Sequence, residues 1–416
     1  MNETLREDAA IAMPEPLVIA TPAQRQRWTL AYTFYTGFTS LTFTNAVWVI
    51  YLATHGYSAF TIGLFETVFH VAKFIAEVPT GAFADLIGRR ASLIVANVLG
   101  AVEVLFFLMP SPPLMILSFT LAGASFAFRG GAAEAILWSI TRQGDADDHA
   151  RYSRVYSQIF ILISAGQLVG SALGGVLGGV LIFLPFLCQM AAYLIGTLGL
   201  LPLPEQRGIA HVAGEPRISA LGHVRAGWQL AWRDPALAGL LLISGLIECI
   251  WATTGYYSQL YLYGRGFSLA IIGGLAAAGM LVSIAFTAIT PWLMRRLREL
   301  RLLVIFFVIG VGGLVLLSGS SIALYLLGFV VVTQAAPSVL SPAISTYVNA
   351  RSPEAQRATV LSFQTALFSL AMIVLFPLFG LGVTHTTYGV MFLVTTLALV
   401  LAGGGVGVMV WWRSRR

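Results

Sequence analysis

Long apolar runs, each of about 20 residues or more, follow one another from residue 28 to residue 412 with only short polar or glycine- and proline-containing breaks between them. Runs of that length cross a bilayer as α-helices, whereas the strands of a membrane barrel would show short alternating segments. The pattern predicts twelve spans, near 28–53, 59–83, 91–109, 114–140, 153–178, 180–202, 236–263, 268–293, 301–319, 322–348, 356–381 and 387–412. The longest internal polar stretch divides them six and six. The expected organisation is a tail at 1–27, a first six-helix bundle at 28–202, a linker at 203–235, a second bundle at 236–412 and a short tail at 413–416.

Within the linker, Ile218, Leu221, Val224, Trp228 and Ala231 recur at helical spacing with Arg217, Arg225 and Arg233 among them. This predicts a short amphipathic helix on the membrane surface, either a plain tether or a regulatory element. Asp234 and Pro235 suit the N-cap and first turn of the seventh span. Residues 1–27 are polar and contain Pro14, Pro16 and Pro22, so a disordered tail is expected there rather than a cleavable signal.

Composition narrows the class. The chain is 57% hydrophobic and 10% charged, with a mean hydropathy of +0.83; a soluble domain cannot bury so much apolar surface, which leaves an all-α polytopic membrane protein. The net charge of +6 does not point to nucleic acid, because the arginines are scattered over short loops. Of the 24 lysines and arginines, only Lys73 and Arg129 sit deeper than the first two residues of a predicted span and only Arg265 in an odd-to-even loop. The rest lie in the tails and even-to-odd loops, which predicts an even number of spans and two cytoplasmic termini. Cys188 and Cys249 lie in apolar spans without spacing partners, so neither a metal site nor a disulfide framework is expected.

The chemistry concentrates in the second span. Glu66, His70, Lys73 and Glu77 stand at i, i+4, i+7 and i+11, a single stripe on a helix. A charge near mid-membrane costs about 2.5–3.5 kcal/mol even on the lenient insertion scale, so this stripe faces partner helices or a water-filled path. Directly after it comes GAFADLIGRRA at 81–91. There Gly81 permits close backbone approach, Gly88 a tight turn, and Asp85, Arg89 and Arg90 mark the membrane exit.

The pattern G-x-x-x-D-x-x-G-R-R between two spans resembles the loop 2–3 signature of the major facilitator superfamily of transporters. Gly81, Asp85, Gly88, Arg89 and Arg90 match it, while Phe83 stands where leucine is usual and Leu86 where a basic residue is usual. The second-half counterpart, WLMRRLRELR at 292–301, keeps the charge and lacks the glycine–aspartate frame. The resemblance implies two pseudo-symmetric bundles around a central cavity that opens alternately to either side. It also implies that spans 1, 4, 7 and 10 line the cavity and that an arginine in span 4, here Arg129, takes part in proton coupling. Glu134 becomes the expected latch partner of Arg89 or Arg90.

Counted from the outer ends of their spans, Lys73 and Arg129 both lie about 15 residues down, or roughly 22 Å. Glu77 and Glu134 come a turn deeper, so a charge network across the two helices is expected. Span 5 carries Gly166, Gly170, Gly174 and Gly175, a small-residue seam suited to tight packing. Its spacing also resembles the G-x-x-x-G-P-x-x-G-G signature of the superfamily's drug antiporters, with Ser171 in place of proline. Span 8 is similarly rich in small residues, and since spans 5 and 8 meet across the bundles in this superfamily, the resemblance implies that the two seams form a sliding interface.

In span 7, Glu248, Trp251 and Gln259 share a stripe beside Tyr256, and Glu248 is the only ionisable residue within the second bundle's spans. Tyr32 and Tyr35 in span 1, and Gln334 and Ser338 in span 10, complete the expected substrate-binding set. Aromatic faces with one carboxylate and several neutral polar groups suit an amphiphilic or cationic organic molecule. Part of the Ser and Thr set is equally suited to helix–helix hydrogen bonding. Glu103, in span 3, has no assigned role.

The resulting expectation is proton-coupled efflux of lipophilic or cationic small molecules. The alternatives are a proton symporter for metabolite uptake, a lipid-moving relative or a non-transporting sensor. The expected partners are a small-molecule substrate, protons as the coupling ion and the lipid bilayer, with no cofactor and no nucleic acid. The chain is expected to act as a monomer in the cytoplasmic membrane of a bacterium. Nothing in the sequence resembles an enzyme's nucleophile, metal or phosphate site.

Overall fold

The computed structural model describes residues 20–142, 147–206, 235–297, 299–351 and 357–414. The proposed linker helix and the Asp234 cap lie outside the described residues. Among the described residues the chain is helical throughout, in two six-span bundles. The first bundle comprises α1 (Pro22–Thr39) and α2 (Trp48–Thr54), α3 (Ala59–Leu86), α4 (Arg89–Phe107), α5 (Pro112–Arg129) and α6 (Ala132–Thr141), α7 (Asp148–Val180) and α8 (Leu184–Leu198). The second comprises α9 (Pro235–Gly264), α10 (Leu269–Arg296), α11 (Glu299–Leu317), α12 (Ile322–Val330) continuing through a π turn (Val331–Ala335) into α13 (Ala336–Arg351), α14 (Arg357–His385) and α15 (Tyr388–Ser414). Large apolar side chains such as Ile75, Ile161, Leu281 and Leu401 are exposed on the outside of the bundles, as a hydrocarbon solvent requires.

Three spans depart from the expected continuous helices. The first begins earlier than residue 28, because Thr21 and Gln24 form a capping box ahead of Pro22. It also breaks at residues 40–47 between α1 and α2. Ser and Thr hydroxyls beside the break bond back to the preceding turn, Thr39 Oγ1 to the Tyr35 carbonyl (2.9 Å) and Ser40 Oγ to that of Gly37 (3.0 Å), which competes with continuing the helix. The fourth span breaks at Gly130–Gly131, where Gly131 has φ +70°, a conformation that favours glycine. The tenth carries the π turn, and Gln334 sits inside it.

The glycines of α7 explain how the first break is held. Cβ atoms at Gly166, Gly170 and Gly174 would run into Ser40, Thr42 and Phe43, so this seam receives the unwound segment of the first span. From Ser171 onward the seam also meets α10: a Cβ at Gly175 would stand 2.8 Å from the Gly273 Cα, and one at Gly273 2.6 Å from the Ser171 carbonyl oxygen. Spans 5 and 8 therefore meet across the bundles as expected, and the same seam also packs the unwound segment within the first bundle.

The bundles touch near the face opposite the chain ends, here called the distal face. Tyr257, fully buried on α9, donates to the carbonyls of Ala59 and Phe376 at 3.0 Å each. Thr67 Oγ1 donates to the Ile373 carbonyl (3.0 Å), and Gly63 lies against Pro377, where a Cβ would stand 2.5 Å from its Cα. Gln259 Nε2 reaches the Asn45 carbonyl at 3.0 Å. These contacts close the distal side above the cavity described next.

Candidate functional site

A cavity of about 390 Å³ lies beneath that closure, within the size range of small-molecule sites. The unwound segment supplies Thr42, Thr44 and Asn45, and α3 supplies Glu66, His70 and Lys73. Glu103 enters from α4 and Gln189 and Tyr193 from α8, while the second bundle contributes Tyr256, Ala252, Phe368 and Met372. Rings of Trp48, Phe69, Phe107, Phe119, Phe126 and Phe186 form most of the remaining wall.

The stripe predicted on the second span is present, and its members have different surroundings. His70 Nε2 lies 3.5 Å from Glu66 Oε1, both side chains being nearly inaccessible. The ring of His70 also meets Phe368 of the second bundle edge-on at 5.4 Å. Lys73 lies over the Phe126 ring at 4.6 Å, with Glu77 and Glu248 the carboxylates near enough to act on its charge. Glu77 itself is exposed and lies outside the cavity lining.

The expected network of Lys73, Arg129, Glu77 and Glu134 does not form as one unit. Arg129 ends α5 at the helix break and lies over Tyr193 (5.3 Å), with Tyr35 as its other close neighbour. Glu134 is exposed at the start of α6, near Tyr152 and Tyr156. The carboxylate that engages Arg90 is Glu205, not Glu134: Glu205 Oε1 accepts from the Arg90 backbone N–H (3.0 Å) and Oε2 from Nε (3.2 Å). Arg89 donates its backbone N–H to the Gln206 carbonyl at 2.8 Å. Gly88, at φ +141°, leaves room for the Glu205 side chain, where a Cβ would collide with it. A carboxylate at the N-terminus of α4 also suits the helix dipole. The signature thus clamps the end of span 6. Asp85 is half-buried at the end of α3, and a Cβ at Gly81 would meet open space, so the close approach expected there is absent in this arrangement.

The expected substrate-binding set divides. Tyr256 lines the cavity, and Gln259 borders it through Asn45, its Oε1 buried without a partner. Tyr32 and Tyr35 are instead buried inside the first bundle, with the Tyr32 hydroxyl on the Ala133 carbonyl (3.0 Å). Trp251 faces an apolar crevice of the second bundle with Phe307 and Leu399. Ser338 ties α13 to α10, its hydroxyl 2.6 Å from that of Ser283 and 2.7 Å from the Gln334 carbonyl. Gln334 also lies against α10, at Gly279.

Glu248 is half-buried and accepts from Gln364 Nε2 at 3.2 Å; it is not among the residues lining the cavity. The cation facing it across the bundles is Lys73 rather than Arg129. Cavity residues with no role in the sequence reading include Glu103, Gln189, Asn45, Tyr193 and Phe126. A signal existed for the first two, since a carboxylate or amide inside an apolar run is costly unless it faces a cavity or a partner. Nothing in the sequence shows which helices converge on it.

Two bundles closed on one face around an aromatic cavity with a few ionisable groups define a secondary transporter rather than an enzyme. The sequence model of the Major Facilitator Superfamily matches residues 28–335, and the chain belongs to that family. It is 22% identical over 369 residues to the uncharacterized MFS-type transporter YxaM of Bacillus subtilis (strain 168), an alignment covering 86% of this chain and 89% of that one. The nucleoside transporter NupG superposes with a TM-score of 0.74 at 14% identity, over 93% of this chain and 98% of that one. A D-xylose–proton symporter gives 0.65 at 16% identity, over 90% and 96%. These likenesses concern the fold.

Proposed function

We propose that this chain is a proton-coupled transporter that carries lipophilic, cationic small organic molecules out of the cell as a monomer, with both termini in the cytoplasm. The reading is carried by one observation: the Glu66–His70 pair, Lys73 and Glu103 share a cavity whose walls are otherwise mainly aromatic. Aromatic faces bind organic cations at about 0.5–2 kcal/mol per contact. A cavity carboxylate that gains or loses a proton changes the affinity of the site for such a cation, which couples the two movements. With the termini inside, the closed distal face is the outer one and the cavity is placed to load from the cytoplasm or the inner leaflet. The glycine seam of α7 adds a resemblance to antiporters.

Everted vesicles containing the full chain test the proposal. An acid interior should drive uptake of a cationic dye, and collapsing the pH gradient with nigericin should abolish it. Uptake indifferent to the gradient would remove proton coupling. Accumulation driven by an alkaline interior would instead establish symport, the reading for metabolite uptake.

A further inference from the structure

The cavity contains one carboxylate outside the Glu66–His70–Lys73 stripe. Among the described residues, Glu66 has His70 beside it at 3.5 Å, and Glu77 and Glu248 are the carboxylates around Lys73. Among the described residues Glu103 has no ion-pair partner: its Oε2 takes the Ser118 hydroxyl at 3.1 Å, a proton that this hydroxyl shares with the Glu103 carbonyl at 2.9 Å.

Opposite it lies an amide with nothing to bond. Helices α4 and α8 pack antiparallel, and three contacts set their register. Asn97 Nδ2 donates to Thr197 Oγ1 (3.1 Å), a Cβ at Gly100 would stand 2.9 Å from the Tyr193 ring, and Phe107 stacks on Phe186 with centroids 4.8 Å apart. That register brings Glu103 level with Gln189. Gln189 is 3% exposed, lines the same cavity, and has both its Oε1 and Nε2 buried without a partner. Burying an amide unpaired costs about 1–3 kcal/mol by protein mutational measures. A side chain kept in that state at a cavity wall marks the position of a ligand's polar group.

We propose that Glu103 and Gln189 form the headgroup subsite of the transported molecule, and that it selects cations bearing N–H donors, protonated amines above all. The carboxylate takes the charge and one N–H, and the Gln189 carbonyl takes a second. The stacked Phe107 and Phe186, one turn away on the same two helices, receive the apolar part next to the head. The proposal rests on the cavity being the transport site, and it moves the cation-binding role from Glu248 to the first bundle.

Three ligands with one tail separate the contributions: phenylbutylamine, phenylbutyltrimethylammonium and phenylbutanol, titrated calorimetrically into the purified full chain at pH 7. The wild type should bind the amine at least tenfold more tightly than the alcohol and several-fold more tightly than the trimethylammonium. Glu103→Gln, which can keep the Ser118 hydrogen bond, should erase the preference of both cations over the alcohol while alcohol affinity stays within twofold. Gln189→Leu should erase only the advantage of the amine over the trimethylammonium, a readout that a purely structural role would not move. Equal losses for all three ligands, an unchanged preference in either variant, or no amine binding by the wild type would each overturn the subsite. If Glu103→Gln does not fold, the Gln189→Leu ratio decides alone. Preference in binding without gradient-driven uptake in vesicles would leave the subsite standing and remove the transport reading. Uptake without that preference would do the reverse.

Discussion

The two bundles share a six-span design and differ sharply in what they place inside the membrane. In the first, two spans interrupt their helices, at residues 40–47 and at Gly130–Gly131, and away from their ends the spans contain Glu66, His70, Lys73, Glu77, Glu103, Arg129 and Glu134. In the second, the described spans stay helical apart from the π turn at Val331–Ala335, and Glu248 is their one charged residue away from the helix ends. The cavity follows the same division, since only Ala252, Tyr256, Phe368 and Met372 of its lining come from the second bundle. Irregular backbone and buried charge are tolerated at membrane depth only where protein or a water-filled cavity surrounds them. Under the proposed function, this contrast would put the binding and coupling groups in the first bundle, with the second supplying a mostly apolar wall.

The contrast breaks most visibly at the glycine seam. A Cβ at Gly170 would stand 2.5 Å from the backbone nitrogen of Thr42, in a segment with no flexible side chain to yield. Gly170→Val is expected to cost about 3 kcal/mol or more, the upper range for overpacking, and to lower the thermal midpoint in detergent accordingly. A variant as stable as wild type would mean that the unwound segment is not held by this seam.

Coupling is the next test. Glu66→Gln removes the charge that His70 faces and should slow gradient-driven transport by about 5- to 150-fold, the usual span of a coupling free energy, while substrate counterflow persists. Equal loss of both activities would assign Glu66 to binding or folding. On the other side of the molecule, Trp251→Leu should cost about 1–3 kcal/mol of stability as a core truncation and leave ligand affinity unchanged. A drop in affinity would return Trp251 to the site.

Glu248 sharpens the comparison further, because it is the second bundle's single charge away from the helix ends and faces Lys73 of the first. A half-exposed pair of this kind is worth about 1 kcal/mol or less, so Glu248→Gln should reduce gradient-driven transport by no more than about fivefold, measured in proteoliposomes. A selective tenfold loss of cation affinity would make Glu248 a substrate ligand instead. The smallest effect is expected at Gly274 of α10, where an added Cβ meets open space. Gly274→Ala should change stability by less than about 0.5 kcal/mol, the ordinary limit for substitutions outside special environments. A large loss would reveal that the small-residue face of α10 closes on α7 in another state.

Twelve spans, their division into two sets of six and the loop 2–3 signature were all legible in the sequence. Each is recorded locally: a helix satisfies its own backbone, so about 20 apolar residues suffice to mark a span, and five residues suffice for the motif. The ionisable stripe was legible for the same reason, since Glu66, His70 and Lys73 share one face of one helix whatever packs against it. Tertiary structure decided the rest. The break after Thr39 exists because α7 offers bare backbone at Gly166, Gly170 and Gly174, a hundred and more residues away. Trp251 and Tyr32 look like cavity residues by type and spacing, yet their faces turn toward neighbouring helices and become core. Glu205 rather than Glu134 engages Arg90, because the end of span 6 returns to the glycine that leaves room for it. Glu103 and Gln189 come level only through the register of two antiparallel helices. Periodicity shows that two residues share a face of one helix; which helix that face meets depends on the packing of all the others.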